Sequence, residues 1–269
     1  MTDSPGADSG QDASSDSTGK KTSRVYGGKT SEERQSERYQ ALLDAAFDIV
    51  GGEGYAAATV RAICKRASLS ERYFYESFDS RETILNALYD TIVHEARTRV
   101  LDAISAVTVD DLEAAKRSPG SIHPIILAGT RAYSEFFTEK PYRANVVVID
   151  ATSVPANREG LSVGSSYSFS DLISELLSSL LGYEHPLAKV CGIGMVGYFS
   201  RVLSWWFIEG HEQDAQYLAE STAIVFQGML DRMAQEKPDG VEVPDPQLIA
   251  AKIGSDRKRG MPLNPVEGD

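Results

Sequence analysis

Between Thr59 and Phe78 the chain gathers groups suited to reading a nucleic acid. Phe74 and Phe78 form an i, i+4 apolar pair, and Glu71, Arg72, Tyr73, Tyr75 and Glu76 stand around them. On a short helix the two phenylalanines turn inward and the other five side chains face outward. Arg72 then offers two parallel donors that match guanine, Glu71 or Glu76 can accept from cytosine N4, and Tyr73 can pack against a thymine methyl. The hydroxyls of Thr59 and Tyr75 and the guanidinium of Arg81 suit phosphate oxygens, with Arg61 on the same surface. Helix N-termini at Thr59 and Ser70 would add backbone N–H donors. A helical hairpin with surface aromatics fits the same periodicity equally well.

Other chemistries find weaker footing. His94-Glu95 lacks the second histidine of a zinc-protease helix, and His94, His123, His185 and His211 are scattered. There is no Gly-x-Ser-x-Gly and no phosphate-binding loop. Cys64 and Cys191 lie far apart without metal spacing, and read as buried free thiols. Gly192-x-Gly194-x-x-Gly197 matches a dinucleotide fingerprint in letters only, because nothing strand-like precedes it. The expectation is a protein with no catalytic residues, no metal and no cofactor, and not an enzyme.

The elements that position the Thr59–Phe78 cluster are legible from caps and periodicity. Thr30-x-x-Glu33 is a capping box, and Leu43, Ala46, Phe47 and Val50 follow on one helical face until Gly51, Gly52 and Gly54 stop it. Thr59 caps the next helix, with Val60, Ile63, Cys64 and Ala67 inward. Ser68-Leu69-Ser70 is a turn short enough to set two helices at a large angle, and Ser70 caps the second of them. Ser80 starts a fourth helix through Leu85, Leu88, Tyr89 and Ile92. Further helices are predicted over Ile126–Phe137, Ser170–Leu181, Leu187–Ile208 and Gln216–Met233. Asn145 to Ile149 is β-branched and would pass for a strand alone, but no second run exists to pair with it, so tertiary context makes it helical.

Composition sets the bounds. The 269 residues, 42% hydrophobic, suffice for a real core and one or two domains. No run of 18 apolar residues occurs, so no membrane span is expected. The polar, acidic stretch Met1–Gly19 is unlike a secretory signal, which points to a cytoplasmic location. The net charge of −12 and pI near 4.9 weigh mildly against nucleic acid, yet DNA binding needs only a local basic face. Residues 1–29 are too polar to offset ordering entropy and read as a disordered tail, in which Lys20, Lys21, Arg24 and Lys29 form a basic patch. From Glu236 onward Pro, Gly and charge indicate a second tail, with one helical turn near Leu248–Ile253 and an Arg257-Lys258-Arg259 run. The aromatics Tyr133, Phe136, Phe137, Tyr198, Phe199, Trp205 and Trp206 fall at helical spacing as core or cavity wall; Tyr133, Phe137 and Trp206 are the candidate liners of a ligand cavity.

The stretch Thr59-Val-Arg-Ala-Ile-Cys-Lys-Arg-Ala-Ser-Leu-Ser-Glu-Arg-Tyr-Phe-Tyr-Glu-Ser-Phe-Asp-Ser-Arg-Glu82 resembles the DNA-binding signature of the TetR family. That signature runs T-V-x-x-I-A-x-x-A-G-V-S, then x-x-x-L/F-Y-x-H-F-x-S-K-E. Phe74-Tyr75, Phe78 and Ser80-x-Glu82 stand in register with it, over about residues 32 to 95. Cys64 replaces the usual alanine, Ser68 the glycine, Ser77 the histidine and Arg81 the lysine, while Arg72 and Tyr73 replace a small residue and a threonine. The pattern Gly194, Gly197, Trp205-Trp206, Gly210, Leu218-Ala-Glu and Phe226-x-Gly-Met-Leu230 resembles the family's C-terminal end more loosely.

The resemblance implies an all-α fold. Its parts would be a three-helix helix-turn-helix domain over 30–90, a larger ligand-binding and dimerisation domain over 91–235, and a flexible tail over 236–269. It also implies a homodimer through helices near 170–208, where Gly192, Gly194 and Gly197 allow close approach. The expected function is a repressor on a palindromic double-stranded DNA operator, released by a small apolar effector of unknown identity. An effector-independent activator or architectural DNA binder is the alternative, distinguished by a filled C-terminal core. A small-molecule-modifying enzyme is a third reading, which turnover by the purified protein would reveal.

Overall fold

The computed structural model describes residues 30–117, 122–153, 163–210, 212–236 and 239–240, and every regular element among them is helical. The basic patch of residues 20–29, the Leu248–Ile253 turn and the 257–259 run lie outside the described residues.

The first helix, α1 (Ser31–Glu53), begins at the expected capping box. Thr30 Oγ1 accepts from the Glu33 N–H at 3.1 Å, and Glu33 Oε2 accepts from the Thr30 N–H at 2.6 Å. The helix runs through Gly51 and Gly52 and ends at Gly54, whose φ of 85° only glycine adopts freely. Of the three glycines expected to stop the helix, Gly54 is the one that does so, and Gly51 and Gly52 lie in the last turn. Gly51 has another reason to lack a side chain: a Cβ there would stand 2.7 Å from Tyr142 Cβ.

A 3-10 turn (Tyr55–Ala57) leads to α2 (Val60–Ala67) and α3 (Glu71–Tyr75). Phe74, Ile63, Leu42 and Ala46 are fully buried where these helices meet α1, and Tyr39 stacks on Phe78 at 4.8 Å between ring centres. Burying side chains of this size contributes about 1.5–3 kcal/mol each, which holds a five-residue helix that could not persist alone.

The long α4 (Arg81–Ser105) leaves this bundle and enters the second one, burying Ile84, Leu88, Ile92, Ala96, Val100 and Ile104. After it come α5 (Val109–Lys116), α6 (Pro124–Glu139), α7 (Tyr142–Ser153), α8 (Val163–Leu181), α9 (Ala188–Ile208) and α10 (Ala215–Ala234). The β-branched segment 145–149 is helical within α7, as tertiary context was expected to require. Helix α5, with its Thr108/Asp111 capping box, is an element that apolar periodicity did not signal.

Helix α6 packs between α4 and α10, α8 lies along α9, and α7 touches both α9 and α1. At Gly192 an added Cβ would collide with the Ser170 carbonyl and Ser174 hydroxyl, so this glycine serves close packing of α9 on α8 within one chain. Gly194 and Gly197 face open space instead. The dinucleotide-like spacing thus sits inside a packed helix.

Candidate DNA-binding surface and interior cavity

The turn that sets α3 against α2 depends on Ser68. Its φ of 57° and ψ of 36° place it in the left-handed region, and its N–H closes the end of α2 on the Lys65 carbonyl at 3.3 Å. Thr59 Oγ1 caps α2 by accepting from the Ala62 N–H at 3.2 Å. Ser70 occupies the N-cap position of α3, but its hydroxyl makes no capping bond. Its expected role as a side-chain cap therefore fails.

On the outer face of α3, Glu71, Arg72, Tyr73, Tyr75 and Glu76 are all exposed, around buried Phe74. Glu76 does not project as an unpaired acid. Arg72 Nε donates to it at 3.2 Å and Arg38 approaches it at 3.8 Å, while the Arg38 guanidinium lies 4.6 Å over the Tyr73 ring. At 84% exposure Arg72 is held by a surface pair worth about 0–1 kcal/mol, little enough for a stronger acceptor to capture it. Arg61 is exposed on α2.

Arg81 is the member of the predicted set that the fold uses differently. Its Nε donates to the Ala58 carbonyl at 2.8 Å, one Nη donates to the Tyr55 carbonyl, and the guanidinium lies 4.3 Å over the Tyr55 ring. The carbonyls of the 3-10 turn need donors where helical pairing stops, and a part-buried guanidinium supplies two. Arg81 thus fixes the approach to α2, correcting its expected place among the outward phosphate contacts.

Cys64 is buried beneath this surface. Burial, and secondarily the nearby Glu71 carboxylate, pushes its thiol above the ordinary range, and Cys191 is raised by burial alone. Among the described residues both are free thiols, and no group of three His, Cys, Asp or Glu could hold a metal ion.

The second bundle holds two small voids. One, of about 30 Å³, is lined by Tyr89, Val93, Tyr133, Phe137, Val147 and Ser200 among others. The other, of about 40 Å³, lies among Val100, Ile104, Ile126, Gly129, Ile173 and Phe226. Tyr133 and Phe137 stand in the wall of the first void. Trp206 lines neither void: its indole N–H donates to the Gln213 carbonyl at 2.8 Å, which ties the end of α9 to the start of α10. Periodicity missed Val93, Val147, Phe169 and Phe199 as wall residues, because a cavity wall and a packed core share one apolar pattern. Burial raises the Tyr133 phenol far above its ordinary value.

Helix α7 joins the cavity to the first bundle. Val147 lines the first void, while Tyr142 meets Phe47 edge-on at 4.8 Å and sits in the notch at Gly51. Asn145 Nδ2 donates to the Val50 carbonyl at 3.2 Å, engaging the end of α1. Arg143 donates to the Phe136 carbonyl at 2.8 Å and pairs with Glu95 of α4 at 3.6 Å.

Residues 42–88, which span α2, α3 and their supports, match the model of bacterial regulatory proteins of the tetR family. This matched segment holds the α2–turn–α3 pair. The larger helical bundle behind it completes the architecture of TetR-type folds. FadR of Bacillus subtilis, solved in complex with stearoyl-CoA, aligns with a TM-score of 0.57 at 15% identity, over 70% of this chain and 97% of its own. The fatty acid degradation regulator FadR of Bacillus halodurans gives 0.55 at 17% identity, over 71% and 95%. A Syntrophomonas wolfei protein assigned to the TetR family gives 0.56 at 14%, over 73% and 96%. At such identities the likeness is one of fold. No curated protein sequence matches the chain. No helix among the described residues is long and apolar enough to cross a membrane.

Proposed function

We propose that this protein is a transcription regulator that binds a palindromic double-stranded DNA operator as a homodimer and releases it when a small apolar effector occupies the second bundle. The observation that carries this reading is α3: five exposed side chains able to contact bases and phosphates, on a helix held rigid by Phe74 in a TetR-type helix-turn-helix. Arg72 and Tyr73 read base edges, with Glu71 and Glu76 as further candidates. Thr59, Arg61, Ser70 and Tyr75 contact phosphate.

Dimerisation is supported by exposed apolar residues on α9 and α10. Val190, Ile193, Trp205 and Ile208 follow one another along one face of α9, with open Gly194 and Gly197 between them. Tyr217 and Ile224 are likewise exposed on α10. Helix α8, part of the span first expected, has its large described apolar side chains turned into the chain's own core. The interface therefore shifts toward the C-terminus, to α9 with α10. Reading two half-sites one DNA turn apart requires the two α3 helices of the dimer to stand about 34–36 Å apart.

The effector reading is supported by the two apolar voids and by α7, which touches both a void and α1. The FadR relative from Bacillus subtilis was solved with stearoyl-CoA, an acyl ligand compatible in kind with apolar walls. A ligand acts here only through its differential affinity for the DNA-bound and released states, so DNA and ligand must weaken each other reciprocally.

The test is selection of genomic DNA fragments by the purified protein, followed by anisotropy titration of the enriched fragment at several salt concentrations. A palindromic fragment bound with strong salt dependence is expected. No enrichment above an Arg72→Ala/Tyr75→Ala double variant would reject the reading.

A further inference from the structure

Arg38 is a cation at the outer face of α3 that residue spacing did not single out. It stands on α1, far from α3 in sequence. Its guanidinium lies 4.6 Å over the Tyr73 ring and 3.8 Å from Glu76 Oε2. Glu76 Oε1 meanwhile accepts from Arg72 Nε at 3.2 Å. One carboxylate is therefore shared by two guanidinia, one from its own helix and one from α1.

The two cations are not equivalent. The Arg72 side chain is 84% exposed and the Arg38 side chain 27%. Arg72 can exchange a weak surface pair for the two acceptors of a guanine. Arg38 is held where it is, because its planar group rests on an aromatic face. The next residue, Tyr39, stacks on Phe78, and Leu42 one turn further along is fully buried, which fixes α1 against α3 at this point.

When Arg72 leaves for a base, Glu76 would face the phosphates of the duplex as a bare carboxylate, and like charges repel. An arginine that stays on Oε2 removes that penalty. The same guanidinium covers one face of the Tyr73 ring and so limits the directions in which the ring can turn toward a base.

We infer that Arg38 is a positioning residue for DNA recognition, which neutralises Glu76 as Arg72 moves to a base and braces Tyr73, without itself touching DNA. The inference rests on the regulator reading above and adds a residue to the same surface. The competing role for an arginine here is a direct phosphate contact, and the two roles give opposite results in a double-variant cycle.

The fragment enriched in the genomic selection is titrated by anisotropy with full-length wild type, Arg38→Met, Glu76→Gln and the double variant, at several salt concentrations. Thermal melts check folding, and Arg38→Gln replaces Arg38→Met if the latter is unstable. Arg38→Met is expected to lower affinity about tenfold beside native Glu76, and by less than about twofold in the Glu76→Gln background, with the salt slope unchanged. Equal losses in both backgrounds overturn the proposal, and a salt slope lower by about one would then mark Arg38 as a phosphate contact. Wild-type affinity in Arg38→Met overturns it too.

Proton NMR of protein carrying isotopically labelled arginine tests the brace without DNA. The δ-methylene signal that vanishes in Arg38→Met belongs to Arg38; it should stand upfield in wild type and move downfield in Tyr73→Leu. A signal that does not move overturns the contact with Tyr73. Wild type that binds no fragment rejects the regulator reading itself, and the DNA role of Arg38 falls with it. A bound operator with equal losses in both backgrounds rejects this inference alone.

Discussion

Individual side chains near the helix-turn-helix divide into those that build it and those that face outward. Ser68 carries the backbone cost of a left-handed conformation without glycine's freedom. Ser68→Gly should therefore stabilise the protein by about 1 kcal/mol, read as a higher melting temperature with operator affinity unchanged. Arg81 and Arg72 make a sharper contrast. Arg81→Ala removes two charge-assisted bonds to the 3-10 turn and should lower stability by about 2 kcal/mol, weakening binding to all sequences alike. Arg72→Ala should leave the melting temperature unchanged and relax preference at one base position by about 1–3 kcal/mol. Paired melts and selection profiles separate the two. His123, which caps α6 by accepting from the Ile125 N–H through Nδ1, has its pKa lowered by burial. The unfolded chain therefore binds the proton more readily than the folded one. Stability is complete above the unfolded value of about 6.5 and falls as pH drops from there toward the folded value. His123→Asn keeps a capping acceptor, and denaturant melts between pH 5 and 8 should show a shallower acid loss for it.

At the scale of elements, α7 and α4 both carry the second bundle onto the first. The first turn of α7 is held by Gly51, Phe47 and the Val50 carbonyl of α1, and Val147 follows on the cavity wall. A ligand pressing on Val147 is expected to move the seat of α7 on α1. Gly51→Ala would push Tyr142 out of its notch. It should leave ligand affinity intact yet reduce the factor by which ligand weakens operator binding, at a stability cost of about 1–3 kcal/mol. Anisotropy titrations with and without ligand measure that factor, and an unchanged factor would show that α7 does not transmit. Neither the notch nor the lever is written in residue spacing. Gly51 reads as a helix stop and Asn145–Ile149 as strand-like, and only their meeting across ninety-odd residues of chain gives them meaning.

For the whole molecule, exposed Ile208 at 71% and Val190 at 65% mark an apolar face larger than isolated surface residues would make. Ile193→Glu and Ile224→Glu should each yield monomers by analytical ultracentrifugation and lose most operator affinity, because one α3 reads only half a palindrome. A variant that stays dimeric would place the interface elsewhere. The net charge of −12 belongs to the averaged chain, and on α3 the Glu76 carboxylate is paired by Arg72 and Arg38 while Glu71 stays exposed. By itself the sequence determined most of the helices, the capping box at Thr30, the N-cap at Thr59, the two-helix turn and the inward Phe74, because those follow from hydrogen-bond demand and periodicity within a few residues. Tertiary structure alone decided that Arg81 turns inward to backbone carbonyls, that Trp206 ties α9 to α10 away from the voids, and that α9 and α10, rather than the described residues of α8, bear the open apolar face. Each depends on which groups from distant segments arrive at one place, and local spacing carries no record of that.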